Sequence, residues 1–108
     1  MSYSVKTIPH FDRQAKRLSR KFPSFKEELF DLIESLENDP IQGTPLGNDC
    51  FKIRLAIKSK GKGKSGGARV ILHVIFVKED VYLLTVYDKS EKENISDLEL
   101  QELLKMIE

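Results

Sequence analysis

Apolar residues recur along this chain with two different periods, and the switches between them mark out its elements. Residues 2–8, SYSVKTI, alternate with Tyr3, Val5 and Thr7 on one side, which predicts a strand. Pro9 breaks that strand and can open a helix, where its missing N–H costs little. Phe11, Ala15, Leu18 and Phe22 then recur at helical spacing until Pro23. Ser24 followed by Glu27 reads as a capping box for a second helix with Phe25, Leu29, Leu32, Ile33 and Leu36 on its buried stripe. Asn38-Asp39-Pro40 stops it, because the residue before proline avoids helical geometry. Residues 40–49, PIQGTPLGND, read as a loop. Phe51, Ile53, Leu55 and Ile57 then alternate with Lys52, Arg54, Ala56 and Lys58, the pattern of a half-buried strand. A glycine-rich loop separates it from Ala68–Val77, which is apolar on both sides apart from Arg69 and His73 and so predicts a central strand. Glu79-Asp80 reads as a turn, Val81–Tyr87 as a further strand and residues 88–94 as a charged loop. Ser96 with Glu99 repeats the capping box, Ile95 and Leu100 supply a hydrophobic staple, and Leu100, Leu103, Leu104 and Ile107 make the last helical stripe. The order β-α-α-β-β-β-α, without repeat or linker, predicts a single domain over 1–108 of the α+β class, a mostly antiparallel sheet packed with helices.

Charge changes this picture locally. The chain holds 18 Lys and Arg against 17 Asp and Glu, a net charge of +1. That balance excludes a protein that coats nucleic acid indiscriminately but allows a bipolar one. Residues 50–78 contain Lys52, Arg54, Lys58, Lys60, Lys62, Lys64, Arg69 and Lys78 and no acid. On the strand, Lys52 and Arg54 stand about 6–7 Å apart on one face. The first helix is basic outside, with Arg13, Lys16, Arg17, Arg20 and Lys21. This reads either as a solvated face or as an auxiliary contact to RNA or an acidic protein. Glu27, Glu28, Asp31, Glu34 and Glu37 give the second helix an acidic outer face, read as solvated rather than catalytic. Cys50 is the one cysteine, so an internal disulfide is impossible, and it reads as a buried small residue rather than a nucleophile. MSYSVKTIPHF lacks the apolar stretch of a signal peptide, and no run reaches membrane-spanning length, so a cytoplasmic protein without a membrane partner is expected.

Gly63-Lys64-Ser65 suggests a phosphate-binding P-loop, but that motif needs a glycine where Lys58 stands, and it must run into a helix. Here a β-branched strand follows instead. The loop reads as a basic hairpin tip able to follow a nucleic-acid backbone through Lys58, Lys60, Lys62 and Lys64. His10 and His73 form no recognisable ligand set, so neither metal nor cofactor is expected. Lys52, Arg54, Arg69, Tyr87, Lys89 and Lys92 remain, all on or just after the strands of the meander. Cleavage of RNA through its own 2′-hydroxyl requires a base, cations for the charged phosphorane and an acid for the leaving 5′-oxygen. Arginine, always protonated, suits the charge; a lysine crowded by other cations suits proton transfer. The same cations also fit plain RNA binding.

The segments DCFKIRLA, GKGKSGGARV and VYLLTVYDKSEKENIS resemble the RelE/ParE superfamily of toxins over essentially the whole chain, and the glycine-rich loop with LLTVYDKSE is most similar to the HigB-type branch. The resemblance implies the toxin of a type II toxin–antitoxin system that enters the ribosome and cleaves mRNA without a metal. It implies a cognate antitoxin, a small helix-turn-helix protein, with ribosome and mRNA as further partners. Lys52 and Arg54 match the two basic residues of the family's KIK strand, and Arg69 matches the arginine that begins the next strand. Lys89 falls near the cation that follows the last strand. Arg54 stands where the RelE branch has a lysine implicated as base, so base work shifts to Lys52, Lys89 or the surroundings of the bound RNA. The late tyrosine of that branch is replaced near Ile95 and Ser96, leaving Tyr87 to supply a ring for an unstacked base. Lys92 joins the loop lysines as an RNA contact. A ParE-like gyrase inhibitor and a non-catalytic RNA-binding relative are the other readings. A ParE-like binder would need no convergent Arg69 and Lys89.

Overall fold

The computed structural model describes residues 2–61 and 66–107. Strand β1 (Ser4–Thr7) leads into helix α1 (Pro9–Lys21), with Pro9 in the first turn. Helix α2 (Phe25–Asn38) follows, then β2 (Thr44–Gly47), β3 (Cys50–Leu55), β4 (Ala68–Ile75), β5 (Asp80–Asp88) and helix α3 (Asp97–Leu104). The sheet order is β1-β5-β4-β3-β2. All neighbours are antiparallel except β1 and β5, which are parallel. The α+β class with a mostly antiparallel sheet is therefore what forms. β4 is the central strand, as its two-sided apolar pattern predicts.

Helix α1 packs against β5, and α2 against β1 and α1. Phe11, Leu18, Phe25 and Leu36 come from the helical stripes and meet Ile53, Val70, Leu72, Val81 and Leu83 of the sheet in one core. Each such side chain, fully buried, contributes roughly 1.5–3 kcal/mol by leaving water.

Local details depart from the sequence expectations. Residues 40–49 are not all loop: Thr44–Gly47 pairs with β3 as a short edge strand, where Pro45 is tolerated because an outer edge need not donate to a neighbour. The β4–β5 turn is wider than Glu79-Asp80. A 3₁₀ turn at Phe76–Lys78 and a left-handed Glu79 (φ 54°) end β4 at Ile75 and start β5 at Asp80. Ser24 does not cap α2 through its side chain; its hydroxyl instead bonds Glu28 (3.2 Å) and Ser59 (2.9 Å). Glu28 is correspondingly buried, not part of the outer acidic face, and its Oε2 accepts the Lys58 N–H at 2.6 Å. The capping box at Ser96 and Glu99 does form, with both reciprocal bonds present.

β5 carries a bulge. Ile71 pairs with Thr85 and Leu72 with Leu83, so Leu84 is the extra residue. Side chains alternate along a strand, so without that residue Thr85 and Tyr87 would share the face of Val81 and Leu83. With it, Val81 and Leu83 enter the core while Thr85 and Tyr87 turn to the opposite side.

Gly67 closes the hairpin base beside β3. A Cβ there would lie 2.2 Å from the Leu55 carbonyl oxygen, a backbone atom that cannot swing away. Gly67→Ala is expected to destabilise by roughly 1–3 kcal/mol, measured by urea unfolding. An unchanged midpoint would show that the strands separate there at little cost.

Candidate functional site

Cross-strand partners share a face, so the register decides which cations meet. Arg54 stands opposite Arg69, and Arg69 opposite Tyr87, in one row across β3, β4 and β5. One step along, Lys52 stands opposite Ile71, and Ile71 opposite Thr85. The bulge at Leu84 is what turns Tyr87 to this side. Directly opposed partners have Cβ atoms about 4.5–5.5 Å apart, and like charges so placed repel. The sheet therefore holds two arginines side by side.

The row is graded from open to closed. Arg54 is exposed and Lys52 half-buried, whereas Arg69 is 3% and Tyr87 6% exposed. The Arg69 guanidinium donates to the Ala68 carbonyl at 3.1 Å. The Tyr87 hydroxyl is buried with no hydrogen-bond partner among the described residues. Burial raises its pKa, and the positive charge of Arg69 only partly opposes this, so the phenol is neutral at physiological pH. Lys52 Nζ reaches Asn94 Oδ1 at 3.4 Å, so the segment before α3 passes beside the row. Lys89, half-buried, directly follows β5, and its N–H donates to the Gly67 carbonyl at 3.0 Å. Lys92 lies 5.7 Å from the Tyr87 ring centroid and pairs with Glu99.

The loop cations are not equivalent. The Lys58 side chain is exposed. Lys60, expected as a free RNA contact, is instead drawn inward: its ammonium is bound by Asp88 Oδ1, donates to Ser90 Oγ at 3.1 Å, and lies 5.7 Å from the Phe22 ring centroid. Lys62 and Lys64 lie outside the described residues.

Two groups near the row carry no warning in the sequence. Asp88 is fully buried at the end of β5, where its carboxylate gathers Lys60, the Ser90 N–H (3.0 Å) and the Ser90 hydroxyl (2.9 Å), with Lys21 at 3.9 Å. Burial alone would raise its pKa, but these bonds outweigh it and hold the carboxyl below its usual range. In the sequence Asp88 is one charge in a charged loop. His10, at the start of α1, bonds Thr85 Oγ1 at 3.0 Å. Burial, then Arg13 and Lys92, lower its pKa, so it is neutral near pH 7. With Thr85, Tyr87, Lys92, Ile95 and Leu103 it lines a cavity of about 530 Å³ between α1, β5 and α3. Nothing in the local pattern links position 10 to position 85. His73 lies away from the row, 3.5 Å from Cys50 Sγ, and burial pushes the Cys50 thiol up to about 11, too high for a nucleophile.

The family model of the RelE toxin of the RelE/RelB toxin–antitoxin system matches residues 9–108. Among solved structures, a doubly substituted E. coli RelE toxin in the free state is similar over all of both chains, with 23% identity and a TM-score of 0.61. The intact E. coli RelBE toxin–antitoxin complex matches 81% of this chain and 96% of that one, at 20% identity and a TM-score of 0.63. A RelBE toxin–antitoxin complex from Mycobacterium tuberculosis matches 82% and 92%, at 16% and 0.59. At such identities these structures show a shared fold; the family model extends the likeness to the sequence itself.

Proposed function

Because the chain belongs to the RelE toxin family, we propose that it is the toxin of a type II pair and that it cleaves mRNA on the ribosome. The observation that carries this is the single row Arg54–Arg69–Tyr87, with Lys52 beside it and Lys89 following β5. Such a row can meet one phosphodiester with several cations at once. Arg54 is the accessible end of the row and contacts the backbone first. Arg69 supplies a fixed guanidinium for the negative charge that grows on the nonbridging oxygens, the part of the reaction where preorganised charge has most effect. Lys52 or Lys89 takes the proton from the 2′-hydroxyl. The 2′-oxygen then bonds to phosphorus as the P–O5′ bond breaks, and the 5′-oxygen takes a proton from water while the lysine keeps the one it removed. The products are a 2′,3′-cyclic phosphate and a 5′-hydroxyl. Tyr87, whose hydroxyl is buried, is the closed end of the row and meets RNA only once the Lys92 side chain over its ring has moved aside, when the ring can hold an unstacked base. The ribosome orients the substrate, which is how so small a cation set suffices.

Lys58 and Lys92 extend the contact with RNA, and Lys62 and Lys64 act with them. A cognate antitoxin, a small helix-turn-helix protein, neutralises the toxin in the cytoplasm; among the described residues, no helix is long and apolar enough to cross a membrane.

Purified chain added to translating ribosomes should yield mRNA fragments ending in 2′,3′-cyclic phosphate, with free mRNA left intact. Growth arrest accompanied by DNA damage and intact mRNA would instead place the chain with gyrase inhibitors.

A further inference from the structure

The cavity between α1, β5 and α3 adjoins the closed end of the row but differs from it in chemistry. Its walls are largely apolar, formed by Val86, Ile95, Leu98, Leu103 and Met106. Leu98 and Met106 are 72% and 46% exposed, so a space bounded by three elements leaves apolar surface in water. The charged side chains on the wall are already paired. Arg17 makes a forked contact to Glu91 at 2.9 and 3.4 Å, Lys92 pairs with Glu99, and Glu102 lies 3.4 Å from Lys105. His10 is uncharged near pH 7 and bonded to Thr85. Gln14, half-buried, makes no side-chain hydrogen bond among the described residues.

We propose that this cavity binds a neutral aromatic small molecule carrying an amide, and that its occupancy keeps Tyr87 covered. A volume of about 530 Å³ and apolar walls with a few polar groups are the features of a small-molecule site. Neutrality follows from the pairing. A phosphate or carboxylate finds no free cation on this wall, and a charge buried without a partner loses more than it gains. An aromatic ring suits the wall because the Met106 thioether makes favourable contacts with rings. The amide suits Gln14, which offers a donor and an acceptor together. Helix α3 is the element that such a molecule fixes. It is eight residues long, too short to hold its shape without packing, and it is anchored by the buried Leu100 and Leu103. A molecule seated between α1, β5 and α3 adds to that anchorage. Glu99 of α3 holds Lys92, and Lys92 lies over the Tyr87 ring. A fixed α3 therefore keeps Lys92 in place and the closed end of the row shut. The site rests on the cavity alone; its effect on cleavage rests on the ribonuclease reading above.

The probe is N-acetyltryptophanamide, which is neutral, aromatic and rich in amide groups; the chain has no tryptophan to compete with its fluorescence. With the full chain its emission should shift to the blue and saturate. The backbone amide resonances that move on titration should be those of the cavity wall, His10, Gln14, Thr85 and Leu103 among them. N-acetyltryptophan, the same ring with a free carboxylate, should bind about tenfold more weakly. Leu98→Gln/Met106→Gln, changed at exposed positions outside the row, should weaken the probe about tenfold while folding and cleaving mRNA as the wild type does. On translating ribosomes the saturating probe should slow cleavage by the wild type several-fold and leave cleavage by the variant unchanged. Absence of a blue shift, resonance changes away from the cavity, or equal binding of the carboxylate overturns the site. A probe seated in the cavity with cleavage at full rate overturns the closing effect. If the probe binds as expected and the chain never cuts mRNA even without it, the site stands and the ribonuclease reading alone falls.

Discussion

Replacing Arg69 with alanine is expected to relieve growth arrest and to lower mRNA cleavage on the ribosome by about 10²–10³-fold, the usual loss when one preorganised donor to a developing oxyanion is removed. Arg69 is the buried centre of the row, with Arg54 on one side and Tyr87 on the other. Its burial fixes its position and keeps water from screening its charge. Arg69→Lys should recover only part of the rate, because an ammonium keeps the charge but not the fork. A fold effect is separable by thermal melting. The substitution removes a buried side chain but also removes a like-charge neighbour of Arg54, so a folded variant is expected. A folded variant that still arrests growth at full strength would remove Arg69 from the chemistry.

Asp88→Asn should be the most damaging substitution to stability at the candidate site. Among the described residues, Asp88 is the anion that joins the end of β5 to the start of the basic loop through Lys60 and to α1 through Lys21. Asparagine keeps the shape but leaves Lys60, whose side chain is only 11% exposed, without its counter-charge. Breaking a buried pair in this way costs about 3 kcal/mol or more, so a melting point about 10–20 °C lower is expected. The pH dependence has a definite sign. The folded carboxyl lies below its usual value, so its contribution is present above the unfolded pKa, about 3.9, and is lost as pH falls through the lower folded value. Unfolding followed from pH 6 downward, about two units above that value, should therefore show the wild type losing its advantage over Asp88→Asn only in strong acid. A constant difference at every pH would mean that shape, not charge, is what Asp88 provides.

Much of this arrangement is legible in the pattern of residues. Alternation places Lys52 and Arg54 on one face of β3, and the two-sided apolar run makes β4 central, so Arg54 and Arg69 can be expected on neighbouring strands. The join to Tyr87 is not legible. The sequence DVYLLTVYD is apolar in both phases, and only the pairing with β4 reveals that Leu84 is a bulge. The short β2 is hidden by its proline and glycines, which signal a loop wherever an edge strand does not need every N–H. Glu28 and Lys60 mislead for another reason. Charged residues on a helix and in a loop are normally solvated, and only tertiary contacts show that Glu28 accepts the Lys58 N–H at the start of a 3₁₀ turn over Lys58–Lys60 and that Lys60 lies against Phe22 and Asp88. His10 and Thr85 meet because α1 runs along β5, a long-range packing fact with no local signature.

The parallel pairing of β1 with β5 bears on when the protein becomes functional. Ser4 pairs with Asp80 and Thr7 with Leu83, so the first strand has no sheet neighbour until the last strand has been made. A growing chain can form α1, α2 and the β3–β4 hairpin from local contacts, but it cannot close the sheet or present Tyr87 and Lys89. Nascent copies stalled before that point lack Tyr87, Lys89 and one edge of the core. A cell in which ribosomes are being disabled would thus accumulate incomplete chains that are inert, and the dose of active protein would be set by completed rounds of synthesis alone.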